Sequence, residues 1–445
     1  MVVSYIRHLF STNDQKIKNY IFQGGSIKGI SYIGALYALE NDGIKLKNIK
    51  RIGGTSVGAI TAALLSVGYD WKELSEELKS LDFQEFIDIP DPYMKNQSFQ
   101  LFSDFREKSR ETTEIFLKEL SSLTDGFTRI KKRAIFEHVA HHAGRKVGLN
   151  LFSKGEFMKQ ADEIQTLIQY ILDRKGLADG NKILHWVEEK IQVKTKITHA
   201  TFGELNELHQ KDPKKYKQLY LMGTNLNKHK SEIFSHEDTP NVIISDAVRI
   251  SMSIPIVFRP HQCYEKKDGW RQLATNDLYV DGGLMDNYPI WLFDKKKYLN
   301  KYEKSNINSE TLGFRLEPLK NIISFETHKG CSEIYENEKS METSKNELII
   351  PLIKCFYEKQ NSDFNLQKEE HKHRTIFIED HDISTLKFNL NQYDKNRLID
   401  SGKNRTMIYL KEAQNNLKNE NSYMGTIVTL IIAGMGVTWG IISSR

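Results

Sequence analysis

A serine between two glycines is the clearest candidate for chemistry in this sequence. It lies in the run Gly54-Thr55-Ser56-Val57-Gly58, after a β-prone segment at 49–52 and before a segment at 57–67 with apolar residues at helical spacing. A nucleophile at a sharp strand-to-helix turn needs small neighbours, because strand and helix approach closely there. The helix N-terminus would also present free N–H groups to developing negative charge. This context predicts Ser56 as the nucleophile of an acyl hydrolase; a structural glycine turn is the alternative.

A glycine-rich turn precedes this run and follows a β-prone segment at 19–22. Such a turn, when it opens a helix, can direct several backbone N–H groups to one point. Its spacing fits neither the dinucleotide fingerprint nor the P-loop. The sequence therefore predicts an oxyanion hole, where each donor contributes roughly 10²–10³ to the rate. The candidate residues are Gly24, Gly25, Ser26, Lys28 and Gly29. The Lys28 side chain could supply positive charge or could be solvated.

An acidic residue follows a third β-prone segment, in Tyr279-Val280-Asp281-Gly282-Gly283. α/β sheets gather their active sites at the carboxyl ends of strands, which is where this pattern places Asp281. A serine hydroxyl needs a base, and a carboxylate within hydrogen-bonding reach can serve. The alternative is an Asp-Gly turn without a chemical role.

The identity of the base separates two kinds of serine hydrolase. A triad of the usual α/β type follows the chain order Ser, acid, His. The histidines after Asp281 all lie in polar stretches without a local motif: His328, His371, His373 and His381. Only one strand–helix unit precedes Ser56, whereas that fold places several strands before its nucleophile. The sequence therefore favours a Ser–Asp dyad.

The elements that must position these residues indicate an α/β fold. Two consecutive strand–helix units near the N-terminus predict a parallel sheet with helices on its faces. Residues from about 70 to 200 show mainly helical patterns, and residues 300–370 are rich in Lys, Glu, Asn and Ser, which predicts peripheral helices and loops. Further strands are predicted at 219–224, 241–244, 278–280 and 374–378.

Composition excludes several classes of protein. The chain has 445 residues, of which 39% are hydrophobic and 27% charged, with a net charge of +5. This is a globular balance, and the interleaved charges do not form the basic stripe of a nucleic-acid-binding protein. Three widely spaced cysteines argue against a disulfide framework or a zinc site and fit a reducing compartment. The N-terminal residues lack an apolar core long enough for a secretory signal peptide.

The C-terminal segment 421–444 contains no charged residue and is nearly all apolar from 424 to 442. About 20 such residues can span a bilayer as one helix, and Gly436-x-x-x-Gly440 would allow close helix packing. We expect a transmembrane or membrane-anchoring helix here; a buried core helix is the alternative. Basic residues upstream favour a catalytic domain that faces the cytoplasm. They are Lys403, Arg405, Lys411 and Lys418, against Arg445 downstream.

The three motifs, in this order, resemble the patatin-like phospholipase family. The resemblance continues through Phe22–Gly29 and Tyr32–Leu36, Gly53–Ile60, Arg249–Pro255 and Asp281–Pro289. It spans residues 18–412, which we expect to form one acyl hydrolase domain with an extra helical insertion at about 95–165. It implies a three-layer α/β/α fold with a mainly parallel central sheet and large helical insertions. Its motif glycines correspond to Gly54, Gly58, Gly282 and Gly283.

The resemblance implies a phospholipase A or lysophospholipase that acts through an acyl-enzyme. Ser56 would attack the ester carbonyl, Asp281 would accept its proton, and the amides around Gly25 and Ser26 would hold the oxyanion. No metal or organic cofactor is implied. The expected partner is a membrane phospholipid or another lipid ester, which makes the protein membrane-associated; an activating protein cannot be identified from the sequence. The alternatives are a triacylglycerol or galactolipid hydrolase with the same dyad, or a protein that only binds a lipid or a partner.

The chain departs from the family pattern at one position. The family's oxyanion turn usually has three consecutive glycines, and Ser26 stands at the third. A serine still supplies a backbone N–H donor. If this position has a positive φ, however, a side chain there costs on the order of 1 kcal/mol.

Overall fold

A computed structural model describes residues 17–98, 166–167, 169–300, 306–326, 369–383 and 387–415. The predicted membrane segment 421–444 lies outside these residues, and so does most of the predicted insertion at 95–165. No helix in the described part of the chain is long and apolar enough to cross a membrane.

One mixed β-sheet of eight strands organises the described residues. The order is β5-β6-β3-β2-β1-β7-β8, with β4 paired to β3. The five strands β1, β2, β3, β7 and β8 run parallel, while β4 and β6 pair antiparallel with β3, and β5 pairs antiparallel with β6. The bounds are β1 Asn19–Phe22, β2 Arg51–Gly54, β3 Gln218–Asn225, β4 Lys230–Ser235, β5 His261–Lys267, β6 Trp270–Asp281, β7 Thr311–Glu317 and β8 Thr375–Glu379.

Helices cover both faces of this sheet. Their bounds are α1 Ser31–Asn41, α2 Val57–Ser66, α3 Trp71–Ser80, α4 Asn181–Thr195, α5 Phe202–Lys211, α6 Ile244–Ser251, α7 Leu319–Glu326 and α8 Glu369–His373. Residues 392–415 are also helical. Capping boxes begin α3, at Asp70 and Glu73, and α5, at Thr201 and Glu204. In each box two free N–H groups of the helix end are bonded by side chains.

The strands divide their side chains between two apolar layers. In β3, Leu219 and Leu221 join the larger core with α1 and α2, whereas Tyr220 and Met222 join a second cluster against residues 288–298. This alternation follows from the two-residue period of a strand. Phe325 of α7 packs on Phe377 of β8, with ring centroids 5.1 Å apart. The predicted α/β fold, with a mainly parallel sheet between helical layers, is confirmed.

Two local predictions are wrong. Residues 241–244 do not form a strand, because Val242 and Ile243 make only isolated bridges and Ile244 begins α6. The apolar residues 242–244 lead directly into α6, and a short apolar run of this kind does not distinguish a strand from a helix by periodicity alone. Residues 300–370 are not all peripheral, because they contain β7, which is buried and pairs with both β1 and β8.

Candidate active site

Ser56 lies in the tight turn between β2 and α2. Its backbone has φ 55° and ψ −127°, a conformation that L-residues rarely adopt. The positions on either side of this turn have no room for a side chain, so glycine is required there. A Cβ on Gly58 would lie 2.3 Å from the Phe22 carbonyl oxygen, and one on Gly54 would lie 2.2 Å from the Gly58 carbonyl oxygen. The two glycines therefore let α2 begin directly against the sheet, which lifts Ser56 into the turn.

The last residue of α6 and the residue after it hold Ser56 in place. The Ser56 N–H donates to the Ser251 hydroxyl oxygen at 2.9 Å. The Ser56 hydroxyl lies 3.7 Å from the Met252 sulfur. Only 4% of Ser56 is exposed. The serine is therefore fixed by its backbone, while its hydroxyl makes only a weak contact and can turn toward another acceptor.

Asp281 ends β6 beside this turn and is completely buried. Its N–H donates to the Ser253 carbonyl at 2.9 Å, and its Oδ1 accepts from the Gly283 N–H at 2.7 Å. Its Oδ2 has no hydrogen-bond partner among the described residues. One carboxylate oxygen is thus anchored and the other is available.

The electrostatics of Asp281 suit a proton acceptor. Burial raises the pKa of Asp281 to about 7, and the Gly283 N–H and the nearby Ser56 hydroxyl offset this rise only in part. The structure therefore brings Ser56 and Asp281 together, although the hydroxyl does not adopt a full hydrogen bond to Oδ2. Such bonds are commonly long before substrate binds. A base with a pKa near neutrality is well matched to proton transfer at physiological pH.

The glycine-rich turn lies against the serine. A Cβ on Gly24 would lie 2.9 Å from the Ser56 Cβ. The N–H groups of Gly25 and Ser26 donate to no acceptor among the described residues, whereas the Gly24 N–H donates to the Asn287 carbonyl at 3.1 Å. The Asn287 side-chain amide returns a hydrogen bond to the Gly24 carbonyl at 3.2 Å. The turn therefore has two free donors, and Gly24 is fixed by Asn287.

Ser26 adopts the conformation that the third glycine of the motif would provide. Its φ is 53°, in the left-handed region. This is the positive φ at which a serine carries the conformational cost of a side chain.

Lys28 and Gly29 have other surroundings. The Lys28 ammonium donates to Asp380 Oδ2 at 2.8 Å, and both side chains are nearly buried. A Cβ on Gly29 would lie 2.7 Å from Val57 Cγ1, so Gly29 allows close packing against the start of α2. In this structure the Lys28 ammonium is therefore neither solvated nor directed at Ser56.

The loop after Asp281 joins the two turns. A Cβ on Gly282 would lie 2.4 Å from the Met222 carbonyl oxygen, so the loop presses against β3. Asn287 binds the glycine-rich turn, and the Asp286 carbonyl accepts from the Thr55 hydroxyl at 3.1 Å. A Cβ on Gly283 would lie 2.8 Å from Asn287 Oδ1. The acid, the serine turn and the glycine-rich turn are therefore tied together by one loop.

A family comparison agrees with this geometry. The model of the family described as patatin-like phospholipase matches residues 20–294, more than half of the chain. The chain belongs to the patatin-like phospholipase family. Ser56, Asp281 and the glycine-rich turn all lie within the matched residues of this patatin-like chain.

Individual proteins resemble this chain at 25% sequence identity or less. An uncharacterized protein of Acanthamoeba polyphaga mimivirus is 25% identical over 395 residues, which cover 88% of this chain and 92% of that protein. The probable lipid hydrolase 463L of Invertebrate iridescent virus 6 is 24% identical over 295 residues, 66% of this chain and 69% of that protein. The crystal structure of VipD from Legionella pneumophila gives a TM-score of 0.46 at 19% identity, over 89% of this chain and 67% of that chain.

The histidines of this patatin-like protein make other contacts. The buried His371 bonds Arg374 at 2.7 Å, and His381 bonds Glu379 at 2.9 Å. His328 lies outside the described residues. Within the described ranges, no group of three His, Cys, Asp or Glu side chains converges as a metal site would require.

Sequence reasoning did not assign roles to Ser251, Ser253 and Asn287. Each belongs to a stretch that resembles the patatin-like family, at 249–255 or 281–289, and that resemblance is the only signal in the sequence that marks them. The buried Arg249 guanidinium fixes the first stretch, since it donates to the Asp179 carbonyl at 2.7 Å and to the Arg259 carbonyl at 3.1 Å.

Proposed function

We propose that the protein is a lipid acyl hydrolase of the phospholipase A or lysophospholipase type. The observation that carries this proposal is the juxtaposition of Ser56 with a buried carboxylate, one oxygen of which has no other partner among the residues that the structure describes. Family membership supports the lipid class of the substrate, and the similarity to a probable lipid hydrolase of Invertebrate iridescent virus 6 is consistent with it.

The first half of the proposed reaction forms an acyl-enzyme. Asp281 Oδ2 accepts the hydroxyl proton as the Ser56 oxygen attacks the ester carbonyl carbon. The N–H groups of Gly25 and Ser26 stabilise the negative oxygen of the tetrahedral intermediate. Collapse of the intermediate breaks the ester bond, and the leaving alcohol, a lysolipid or glycerol derivative, takes the proton from Asp281.

The second half regenerates the enzyme. Asp281, again ionised, accepts a proton from water as the water oxygen attacks the acyl-enzyme. The same two amides hold the second oxyanion. The serine oxygen then leaves with that proton, and a free fatty acid is released.

Two substitutions test the dyad. Ser56→Ala removes the nucleophile, and Asp281→Asn removes the base without changing its shape. Each should abolish fatty-acid release from phospholipid vesicles, and a fluorophosphonate probe should label the wild type but not Ser56→Ala. Ser66→Ala is a matched control, since Ser66 is a buried serine at the far end of α2, the helix that Ser56 precedes.

Three outcomes decide between the candidates. Retained hydrolysis in Ser56→Ala would sink the assignment of the nucleophile. A wild-type protein that binds vesicles but neither hydrolyses them nor reacts with the probe would favour a lipid-binding role. A panel of phospholipids, lysophospholipids, triacylglycerols and galactolipids identifies the substrate class from the acids released.

We also propose that residues 421–444 attach the protein to a membrane, with the catalytic domain on the cytoplasmic side. The length and apolar composition of the segment support this proposal, as does the excess of basic residues upstream of it. Such attachment would place the site beside its lipid substrate.

A further inference from the structure

The glycine-rich turn is joined to the C-terminal part of the chain by a nearly buried ion pair. Lys28 Nζ lies 2.8 Å from Asp380 Oδ2, and the two side chains are 11% and 7% exposed. The partners are 352 residues apart in sequence. Asp380 also lies beyond the residues 20–294 that the family model matches. A part of the chain outside the matched region therefore reaches the turn.

The turn depends on contacts from outside itself. Ser26 holds a positive φ without the freedom of glycine. At one end of the turn, the Gln23 N–H donates to the Phe314 carbonyl at 3.1 Å, and Gln23 Oε1 accepts from the Leu316 N–H at 2.7 Å. At the other end, Lys28 is held by Asp380. The two free N–H groups thus lie between one anchor on β7 and one just after β8.

Asp380 is itself well fixed. Its N–H donates to the Glu317 carbonyl at 3.0 Å, and its Oδ1 accepts from the Asp382 N–H at 3.0 Å. Oδ2 is therefore the oxygen left for Lys28. The following helix at 392–415 packs closely on α1, because a Cβ on Gly402 would lie 1.9 Å from the Ser31 carbonyl oxygen. The position of the carboxylate is therefore determined by the contact of Asp380 with β7 and by its own turn.

We propose that Asp380 is a positioning residue of the active site: through the Lys28 ammonium, it fixes the direction of the Gly25 and Ser26 N–H groups. This inference rests on the proposed acyl hydrolase function. The pair touches neither the substrate nor the reacting atoms. A misdirected donor loses stabilisation of the oxyanion while leaving ground-state binding of the lipid largely unchanged. The pair should therefore affect kcat much more than KM.

The test compares the variants Asp380→Asn, Lys28→Met and Lys28→Arg with the wild type. Asp380→Asn keeps the Oδ1 acceptor of the Asp382 turn and removes only the charge. Hydrolysis of a soluble p-nitrophenyl ester and of a short-chain phospholipid gives kcat and KM, and exhaustive fluorophosphonate labelling of Ser56 counts the folded sites. We expect kcat per site to fall about 10- to 100-fold in Asp380→Asn and Lys28→Met, as for an active-site group displaced by about 1 Å. Lys28→Arg should retain most of kcat.

Asp394→Asn is the matched control. Asp394 pairs with Lys387 at 2.5 Å, with side chains 16% and 15% exposed, on the same C-terminal part; in the described part of the chain its hydrogen bonds go to Lys387 and Asn391 and not to the turn. The Asp394→Asn variant should lower thermal stability about as much as Asp380→Asn does, and it should leave kcat per site unchanged. The double variant of Lys28→Met and Asp380→Asn should be little slower than either single variant, since residues acting as one unit are not additive.

Two results would overturn the inference while the wild type is active: an unchanged kcat per site in Asp380→Asn, or an equal loss in Asp394→Asn. The proposed function fails in a different way, since an inactive wild-type protein would show it before any variant is compared.

Discussion

Asp281 is a carboxyl group in an environment that disfavours its charge. It is completely buried, and its pKa is raised to about 7. A surface aspartate would be ionised at any physiological pH, but it would be a weak base. The buried position keeps the group basic enough to accept a serine proton. The same burial makes the ionised form of Asp281 destabilise the folded protein. The proposed reaction requires the ionised form, whereas stability favours the protonated form.

The pH dependence of the reaction follows from this pKa. Only ionised Asp281 can accept a proton, so kcat/KM should rise with pH and reach half of its maximum near pH 7. Initial rates with a soluble ester between pH 5 and 9 measure this profile. A plateau that extends below pH 5 would contradict a base with a raised pKa.

Stability gives a second readout of the same group. A carboxyl whose pKa is raised by folding stabilises the protein when protonated, and this contribution is lost as pH rises from about 4 through about 7. The loss is of the order of 4 kcal/mol for a shift of about three units. Asp281→Asn carries no charge, so its melting temperature should exceed that of the wild type at pH 8 and approach it at pH 5. A lower melting temperature for the variant at pH 8 would show that burial of the charge is not the main cost.

At the scale of elements, helix α6 and the turn after it support both members of the proposed dyad. Ser251 accepts from the Ser56 N–H, and the Ser253 carbonyl accepts from the Asp281 N–H. The turn thus sets the distance between a serine on β2–α2 and an acid on β6, two elements that are not neighbours in the sheet. All eight residues of this helix are buried, so neighbouring elements pack against it on every side.

Ser251→Ala tests that support. The change removes the acceptor of the Ser56 N–H, and a lost hydrogen bond of this kind costs about 1 kcal/mol of stability. Because the bond holds the proposed nucleophile, we expect kcat to fall about tenfold, measured per fluorophosphonate-labelled site. Ser245→Ala is the control, since Ser245 at the other end of α6 bonds Glu188 at 2.7 Å. An equal kcat loss in both variants would indicate a general loosening of the helix.

The elements differ in how far sequence could predict them. Short apolar runs between turns predicted β1 and β3, because such runs are typical of buried parallel strands. The central strand β7 was missed because its charged residues Arg315 and Glu317 are buried as an ion pair and make the strand resemble a surface segment. The predicted strand at 241–244 fell on an apolar run that leads into α6, and periodicity alone does not tell such a short run from a strand.

The sequence could predict those parts of the candidate site that lie within one short motif. The turn around Ser56 and the end of β6 carry their chemistry in short motifs, so the sequence could mark them. Residues that are far apart in the sequence can be close in space, and the sequence alone does not show which ones are. Asn287 and Asp380 contact the glycine-rich turn only because the chain folds to bring them there. The sequence therefore could not predict that the Lys28 ammonium pairs with Asp380. From the sequence, Lys28 was equally compatible with a positive charge at the site and with a solvated side chain.

At the scale of the whole molecule, the sheet mixes early and late parts of the chain. The first strand β1 lies between β2 and β7, and β7 in turn pairs with β8. The family model ends at residue 294, before both of these late strands. Their apolar side chains belong to the same core as those of β1, so the folded unit extends beyond the matched residues.

The proposed membrane attachment is tested on the whole protein. Removal of residues 421–445 should move the protein from the membrane fraction to the supernatant after lysis, because the longest uncharged apolar stretch is lost. Activity on a soluble ester should remain, which serves as the control for folding, while activity on vesicles should fall. A truncated protein that still sediments with membranes would place the attachment elsewhere in the chain.

The long separation of Lys28 and Asp380 in the sequence also means that the ribosome adds them at different times. A ribosome that adds about 5–20 residues per second needs roughly 20–70 s to pass from one partner to the other. During that interval the nascent chain already carries Ser56, and later Asp281, but the turn that would hold the oxyanion has no partner for its lysine. On the proposal made above, the chain reaches its full hydrolytic rate only after Asp380 has been added. A nascent chain that stops before this residue would carry both members of the proposed dyad and still hydrolyse lipid slowly.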